Sequence, residues 1–184
     1  GNCWSDSGVT ASLPMTERDK SARIRSYVLR PGRMTQVQKR ALEEHFTRWG
    51  LEYAGGELAY DAVFGRTGPV VLEIGFGMGQ SLLAMAEAKP DTNFIGIEVH
   101  KPGVGKLLHS IESRGIDNIR IYRHDAVEVV RDCIPDASLY TVQIFFPDPW
   151  HKKRHNKRRL IQPLFVAQLT SKLKSAGIVH LATD

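Results

Sequence analysis

The apolar run Val70-Val71-Leu72-Glu73-Ile74 passes without a spacer into Gly75-Phe76-Gly77-Met78-Gly79, and then into a helical pattern over Gln80–Lys89 that Pro90 halts. Strand, tight turn and helix in that order open a βαβ unit, because a parallel strand pair needs a long crossover and a helix is the usual way to make it. The unit then repeats. Phe94–Val99 reads as a second strand, Lys101–Arg114 as a helix with Gly115 in the residue position after its end, and Ile119–Tyr122 as a third strand. The alternation continues: Ala126–Cys133 reads as a short helix, Leu139–Phe146 as a fourth strand rich in β-branched and aromatic residues, and Pro163 as the first turn of a helix running to about Ser175. Gly177–Ala182 starts a fifth strand. This alternation predicts an α/β fold over residues 69–184, with a mostly parallel sheet and helices on both faces.

Upstream, Thr35 with Gln38 three residues later forms a capping box, and Val37, Ala41, His45 or Phe46, and Trp49 recur at helical spacing up to Gly50. Residues 35–68 are therefore expected to be an N-terminal helix and a connecting loop, with Phe46 and Trp49 in the core. Residues 1–34 are read as a flexible basic arm. Its first twenty residues are polar and aperiodic, and residues 17–33 carry Arg18, Lys20, Arg23, Arg25, Arg30 and Arg33 around Tyr27. Arginine interleaved with an aromatic suits phosphate contact and base stacking, although a surface-docked arm fits that stretch equally well.

Charge narrows the class of partner. The chain of 184 residues carries a formal net charge of +5, and Lys152, Lys153, Arg154, Lys157, Arg158 and Arg159 supply six positive charges within one acid-free stretch. Such clustering favours a polyanion, nucleic acid first. A solvated basic face is the plain alternative. No apolar stretch approaches the roughly 18 residues needed to span a bilayer, and the first twenty residues lack an apolar signal core, so a cytoplasmic protein with no membrane partner is expected. Cys3 and Cys133 lie outside any paired spacing and the seven His form no ligand set, so free thiols and no metal are expected. Oligomeric state is not written in the sequence, and a monomer is the simplest expectation.

Three acids close three consecutive strands beside the glycine turn. Glu73 lies inside the first strand, Glu98 closes the second and Asp125 follows the third. Open α/β sheets bind ligands in the crevice at these strand ends. The glycine spacing G-x-G-x-G departs from the G-x-G-x-x-G of dinucleotide sites, and a carboxylate at Glu73 suits a cationic ligand end better than a pyrophosphate. Gly75 and Gly77 let the backbone approach such a ligand. Glu98 suits ribose hydroxyls, with a strand-end salt bridge as its structural alternative, and Asp125 suits an adenine amino group while also serving as a helix N-cap. The set reads as a site for S-adenosylmethionine, its methionine, ribose and adenine addressed by Glu73, Glu98 and Asp125 in turn. Asp148 follows the fourth strand at the lip where the transferable methyl would point. Trp150 beside it could stack on a base, but fits a packed core as well.

The segments Leu72-Glu73-Ile74-Gly75-Phe76-Gly77-Met78-Gly79, Gly96-Ile97-Glu98-Val99-His100, His124-Asp125-Ala126, Phe145 through Lys153, His155 through Arg159, and Arg25 through Arg30 with Gly32-Arg33 together resemble the bacterial tRNA (guanine-N7)-methyltransferases. The resemblance runs from about Arg23 to the end of the sequence. It implies a class I, Rossmann-like methyltransferase fold, S-adenosylmethionine as donor, and a guanosine in the variable loop of tRNA as acceptor. It also implies that Glu73, Gly75, Gly77, Glu98, Asp125 and Asp148 contact the donor, that Asp148 is catalytic, and that Lys152, Arg154, His155, Asn156, Lys157, Arg158, Arg159 and Asp184 contact the RNA substrate. The family pattern continues past Asp184 with a further guanine-binding loop and the last strands, so the sheet is expected to be C-terminally incomplete within these residues, and activity of the 184-residue chain is in question.

Three other readings remain open on sequence. Asp148-Pro149-Trp150 faintly resembles the Asp-Pro-Pro-Tyr loop of adenine amino-methyltransferases, which would make the target an exocyclic amine. A non-catalytic RNA-binding module or assembly partner would keep the fold without turnover. A nicotinamide-dependent oxidoreductase is disfavoured by the glycine spacing and by Glu73.

Overall fold

The computed structural model describes residues 32–147 and 159–182. Among these residues six strands form one sheet in the order β1-β4-β3-β2-β5-β6, and each of its described strand pairs is parallel. The strands are β1 (Gly50–Leu51), β2 (Val70–Ile74), β3 (Asn93–Ile97), β4 (Ile119–Tyr122), β5 (Leu139–Phe145) and β6 (Leu173–Ala182). The helices are α1 (Gln36–Trp49), α2 (Tyr60–Phe64), α3 (Gln80–Ala88), α4 (Lys101–Arg114), α5 (Ala126–Asp132) and α6 (Pro163–Lys172). The order reverses at β2, which pairs with β3 on one side and β5 on the other. That reversal is the topological switch point at which open α/β sheets bind ligands.

Both faces of the sheet are covered. Val71, Phe94, Ile119 and Ile121 pack under Ala41 and Trp49 of α1, Leu82 and Leu83 of α3, and Leu107, Leu108 and Ile111 of α4. On the opposite face, Leu72, Ile74, Ile95, Ile97 and Ile144 meet Phe64 of α2, Val129 and Val130 of α5, and Phe165 and Leu169 of α6. Lying between these two layers, β2 and β3 are fully buried, which is why both are mostly apolar apart from Glu73 and Asn93. Each fully buried Leu or Ile in these layers contributes about 1.5–3 kcal/mol.

The capping box forms as the sequence implied. Gln38 N–H donates to Thr35 Oγ1 at 3.2 Å, and Thr35 N–H donates to Gln38 Oε1 at 2.9 Å. The buried Asn118 amide donates to the carbonyls of Ala86, Lys89 and Thr92, satisfying the free end of α3 and the turn after it. Three features differ from the sequence reading. β1 and α2 lie in what was read as a connecting loop, being too short to show periodicity. The helix expected to reach Ser175 ends at Lys172, because Leu173 already pairs with Leu139, and β6 then accommodates a register shift, with Ala176 at φ 63°, before Ile178 pairs with Thr141. Ladder hydrogen bonds there override the local helical pattern.

Among the described residues no helix is long and apolar enough to cross a membrane, and no cluster of three or more His, Cys, Asp or Glu could hold a metal ion. Cys133 is a buried free thiol.

Candidate active site

The C-terminal ends of β2, β3, β4 and β5 enclose an open cavity of about 260 Å³, lined by Gly75, Gly77, Glu98, His124, Phe146 and Pro147 among others. Its floor is the glycine turn. Gly75, Gly77 and Gly79 have φ of 73°, 57° and 76°, a left-handed run that residues with a Cβ adopt only with strain. The turn is also wedged against α4. A Cβ on Gly103 would lie 2.0 Å from the Gly77 carbonyl oxygen, and one on Gly79 would lie 2.9 Å from Leu107.

Glu98, half-buried just past β3, holds this turn. One of its oxygens accepts from Gly77 N–H at 2.8 Å, and the other accepts from Val99 N–H at 2.7 Å and His100 N–H at 3.0 Å. A carboxylate has about four acceptor sites, so these bonds leave room for a ligand hydroxyl. The strand-end role is thus a set of backbone hydrogen bonds; no salt bridge to Glu98 forms among the described residues.

Glu73 is only 3% exposed, and its Oε2 has no hydrogen-bond partner. Burial pushes its carboxyl up to about 7. It does not line the cavity. It sits two residues before Gly75, in register with Gly96 on β3 and with Gln143 on β5, whose own Oε1 is also buried without a partner. An unsatisfied carboxylate at that depth costs several kcal/mol unless it is protonated or meets a donor-rich partner, about 1–3 kcal/mol for the lost bond alone.

Asp125 caps α5 by accepting from Val127 N–H at 2.8 Å. Its side chain is absent from the cavity lining, although its neighbours His124 and Ala126 are both in it. Phe146, next to Pro147 at the end of β5, has φ 48° and is 65% exposed, a strained conformation for a bulky residue at the cavity rim.

Of the residues singled out in the sequence, Gly75, Gly77 and Glu98 meet at the cavity, Asp125 borders it, and Glu73 lies buried beneath the turn. Arg159 is described, half-buried, and its carbonyl accepts from Gln162 Nε2 at 3.4 Å; it is not among the lining residues, although its neighbour Leu160 is. Asp148, Lys152, Arg154, His155, Asn156, Lys157, Arg158 and Asp184 lie outside the described residues. Sequence reasoning passed over His124 and Phe146 as lining residues. Their signals were adjacency, His124 preceding the third strand-end acid and Phe146 preceding Pro147-Asp148.

The sequence profile of the family described as "Putative methyltransferase" matches residues 67–184. The tRNA (guanine-N(7)-)-methyltransferase of Pseudoalteromonas atlantica is 56% identical over 162 residues, covering 88% of this chain and 68% of that protein. The enzyme of the same name from Stutzerimonas stutzeri is 52% identical over 179 residues, covering 96% and 75%. That of Klebsiella pneumoniae is 57% identical over 162 residues, covering 88% and 68%. Among solved structures, the 16S rRNA methyltransferase KamB superposes with a TM-score of 0.50 at 14% identity, covering 66% of this chain and 56% of that one, a likeness of fold alone. With a Rossmann-like sheet, a glycine turn held by a strand-end carboxylate, and 52–57% identity to these relatives over the aligned 88–96% of its length, the chain belongs to the tRNA (guanine-N(7)-)-methyltransferase family.

Proposed function

We propose that this protein transfers the methyl group of S-adenosylmethionine to N7 of a guanosine in tRNA, with the guanosine in the variable loop. The observation that carries the reading is the 52–57% identity to enzymes of that name over most of the chain. The residues present fit the donor. Glu98 keeps an acceptor site for ribose hydroxyls, and the buried, unpartnered Glu73 Oε2 is the kind of atom that a donor-only ammonium group would satisfy. When bound, the donor supplies an electrophilic methyl on a sulfonium. Residues 69–184 are assigned the transfer chemistry, residues 35–68 a supporting helix, and residues 1–34 RNA contact. A tRNA substrate points to a cytoplasmic setting.

Guanine N7 attacks with a lone pair and has no proton to lose. The protein's task is therefore alignment and electrostatic complementarity more than base catalysis. Asp148 is assigned to accept from the guanine N1–H or amino group and so to hold N7 in line with the methyl. Lys152, Arg154, His155, Asn156, Lys157, Arg158, Arg159 and Asp184 are assigned to the RNA.

The test separates chemistry from RNA grip. Asp148→Ala should lower single-turnover methylation at saturating tRNA while leaving tRNA affinity near normal. Neutralising Lys153, Arg154, Arg158 and Arg159 should weaken binding and flatten the dependence of log K on log salt by roughly 0.7–0.9 per lost contact. An unchanged salt slope in the second variant would reduce the basic run to a solvated face and remove it from the substrate site.

A further inference from the structure

β1 ends at Leu51, which is in register with Tyr122, the last residue of β4. Two residues farther along each chain stand Tyr53 and His124, and the pairing continues there as side-chain contact. Their rings stack with centroids 4.0 Å apart and planes 10° from parallel. Neighbouring strands run about 4.8 Å apart, so continuing the register past the strand ends brings the two rings to stacking distance.

Both rings are braced. His124 Nε2 lies 2.7 Å from Glu128 Oε2, one turn along α5. The Tyr53 hydroxyl donates to the Asp132 carboxylate at the far end of that helix, and Arg131 Nε donates to the same carboxylate at 2.6 Å. The bond to Asp132, and burial after it, push the Tyr53 phenol above its ordinary value, so it stays a donor. Tyr53 thus covers one face of the imidazole and Glu128 fixes the ring's edge. His124 is 33% exposed and lines the cavity beside Glu98. An aromatic plane held on one side by another ring, with its remaining surface in a cavity, is a stacking platform.

We propose that His124, backed by Tyr53, is the wall on which the purine of the methyl donor stacks, with Tyr53 acting as a positioning residue for that wall. The proposal rests on the donor reading above and adds two residues to it. Asp125, next to His124, would then address the purine's edge while His124 addresses its face. Tyr53 reaches the site only because the two-residue strand β1 pairs with β4.

Two probes separate the base from the rest of the ligand: S-adenosylhomocysteine, and S-ribosylhomocysteine, which lacks the purine. Affinities are measured for the full chain, by calorimetry for the first and by competition for the second. Tyr53→Leu and His124→Leu should each weaken S-adenosylhomocysteine about tenfold, in the range of base–aromatic stacking, and leave S-ribosylhomocysteine unchanged. Tyr53→Phe keeps the ring and loses only the bond to Asp132, and should stay within about twofold for both probes. S-adenosylhomocysteine binding unchanged in both Leu variants overturns the proposal while the donor reading stands. Equal weakening of both probes also overturns it, since the loss is then structural. A wild-type chain that binds neither probe removes the donor reading and this proposal together.

Discussion

The Glu98 carboxylate accepts a hydrogen bond from the backbone N–H of Gly77 at 2.8 Å, joining the end of β3 to the middle of the glycine turn after β2. The residue proposed to accept from the donor's hydroxyls is therefore also the one that holds the glycine turn on the cavity floor. A charged acceptor on a backbone N–H is among the stronger protein hydrogen bonds, and the two further N–H donors on Glu98 fix its rotamer before any ligand arrives. Preorganisation of that kind lowers the ordering cost of binding.

Glu98→Ala should weaken S-adenosylmethionine by about 1–3 kcal/mol, since both ligand and turn lose a charged acceptor. Hydrogen exchange at the Gly77 amide should accelerate in the same variant even without ligand. Calorimetry showing unchanged donor affinity would take Glu98 out of the site.

Gly103→Ala places a methyl 2.0 Å from the Gly77 carbonyl oxygen, too close for α4 and the turn to keep their positions. Overpacking of this sort costs about 1–3 kcal/mol. Both the melting temperature and donor affinity should fall, although residue 103 touches no donor atom in the proposed site. Wild-type affinity would mean that the turn adjusts freely.

Glu73 has its carboxyl pushed up to about 7 by burial, against an ordinary 4.5. The sign follows from which state holds the proton. Between these values the folded chain is protonated and the unfolded chain is not, so stability from this group is full below about 4.5 and is lost as pH rises through about 7. The loss amounts to about 3 kcal/mol at pH values above that window. Glu73→Gln should flatten this part of the stability profile in denaturant melts at pH 5 and pH 8. A ligand ammonium near Glu73 would lower its pKa on binding, so donor binding should release protons near pH 6. A Glu73→Gln profile identical to wild type would mean that Glu73 stays ionised throughout.

Phe146 should reverse the usual order of Ala and Gly. At an exposed extended position Ala is the more stable choice, but at φ 48° only Gly escapes the left-handed penalty. Phe146→Gly should be more stable than Phe146→Ala by about 1–2 kcal/mol in equilibrium unfolding. The opposite order would show that the strand end relaxes once the ring is removed.

What the sequence carried and what it withheld divide along physical lines. The five-residue run of β2, the glycine turn and the long α4 rest on local signals, an apolar run, positive-φ turn chemistry and a glycine terminator, and each stands where those signals put it. β1 has only Gly50 and Leu51 and exists because β4 offers an edge to pair with, so no local pattern marks it. The Tyr53–His124 stack depends on that pairing and was invisible for the same reason. Glu98 was legible as an acid at a strand end beside the glycine turn, while its hold on Gly77 was not, since nothing in residue types at a 21-residue separation specifies which backbone N–H a carboxylate will meet. Asp125 carried two readings from the start, and its cap on Val127 is the one visible in the geometry.

The central claim is methyl transfer to guanine N7 in tRNA. The most direct measurement is to incubate the protein with an unmodified tRNA transcript and methyl-labelled S-adenosylmethionine, digest the RNA to nucleosides and identify the labelled product. The account predicts label in 7-methylguanosine, and none when the transcript carries 7-deazaguanosine in place of guanosine, because that base has no N7 lone pair. Label in an N-methylated exocyclic amine, or equal labelling of the deaza transcript, would contradict it.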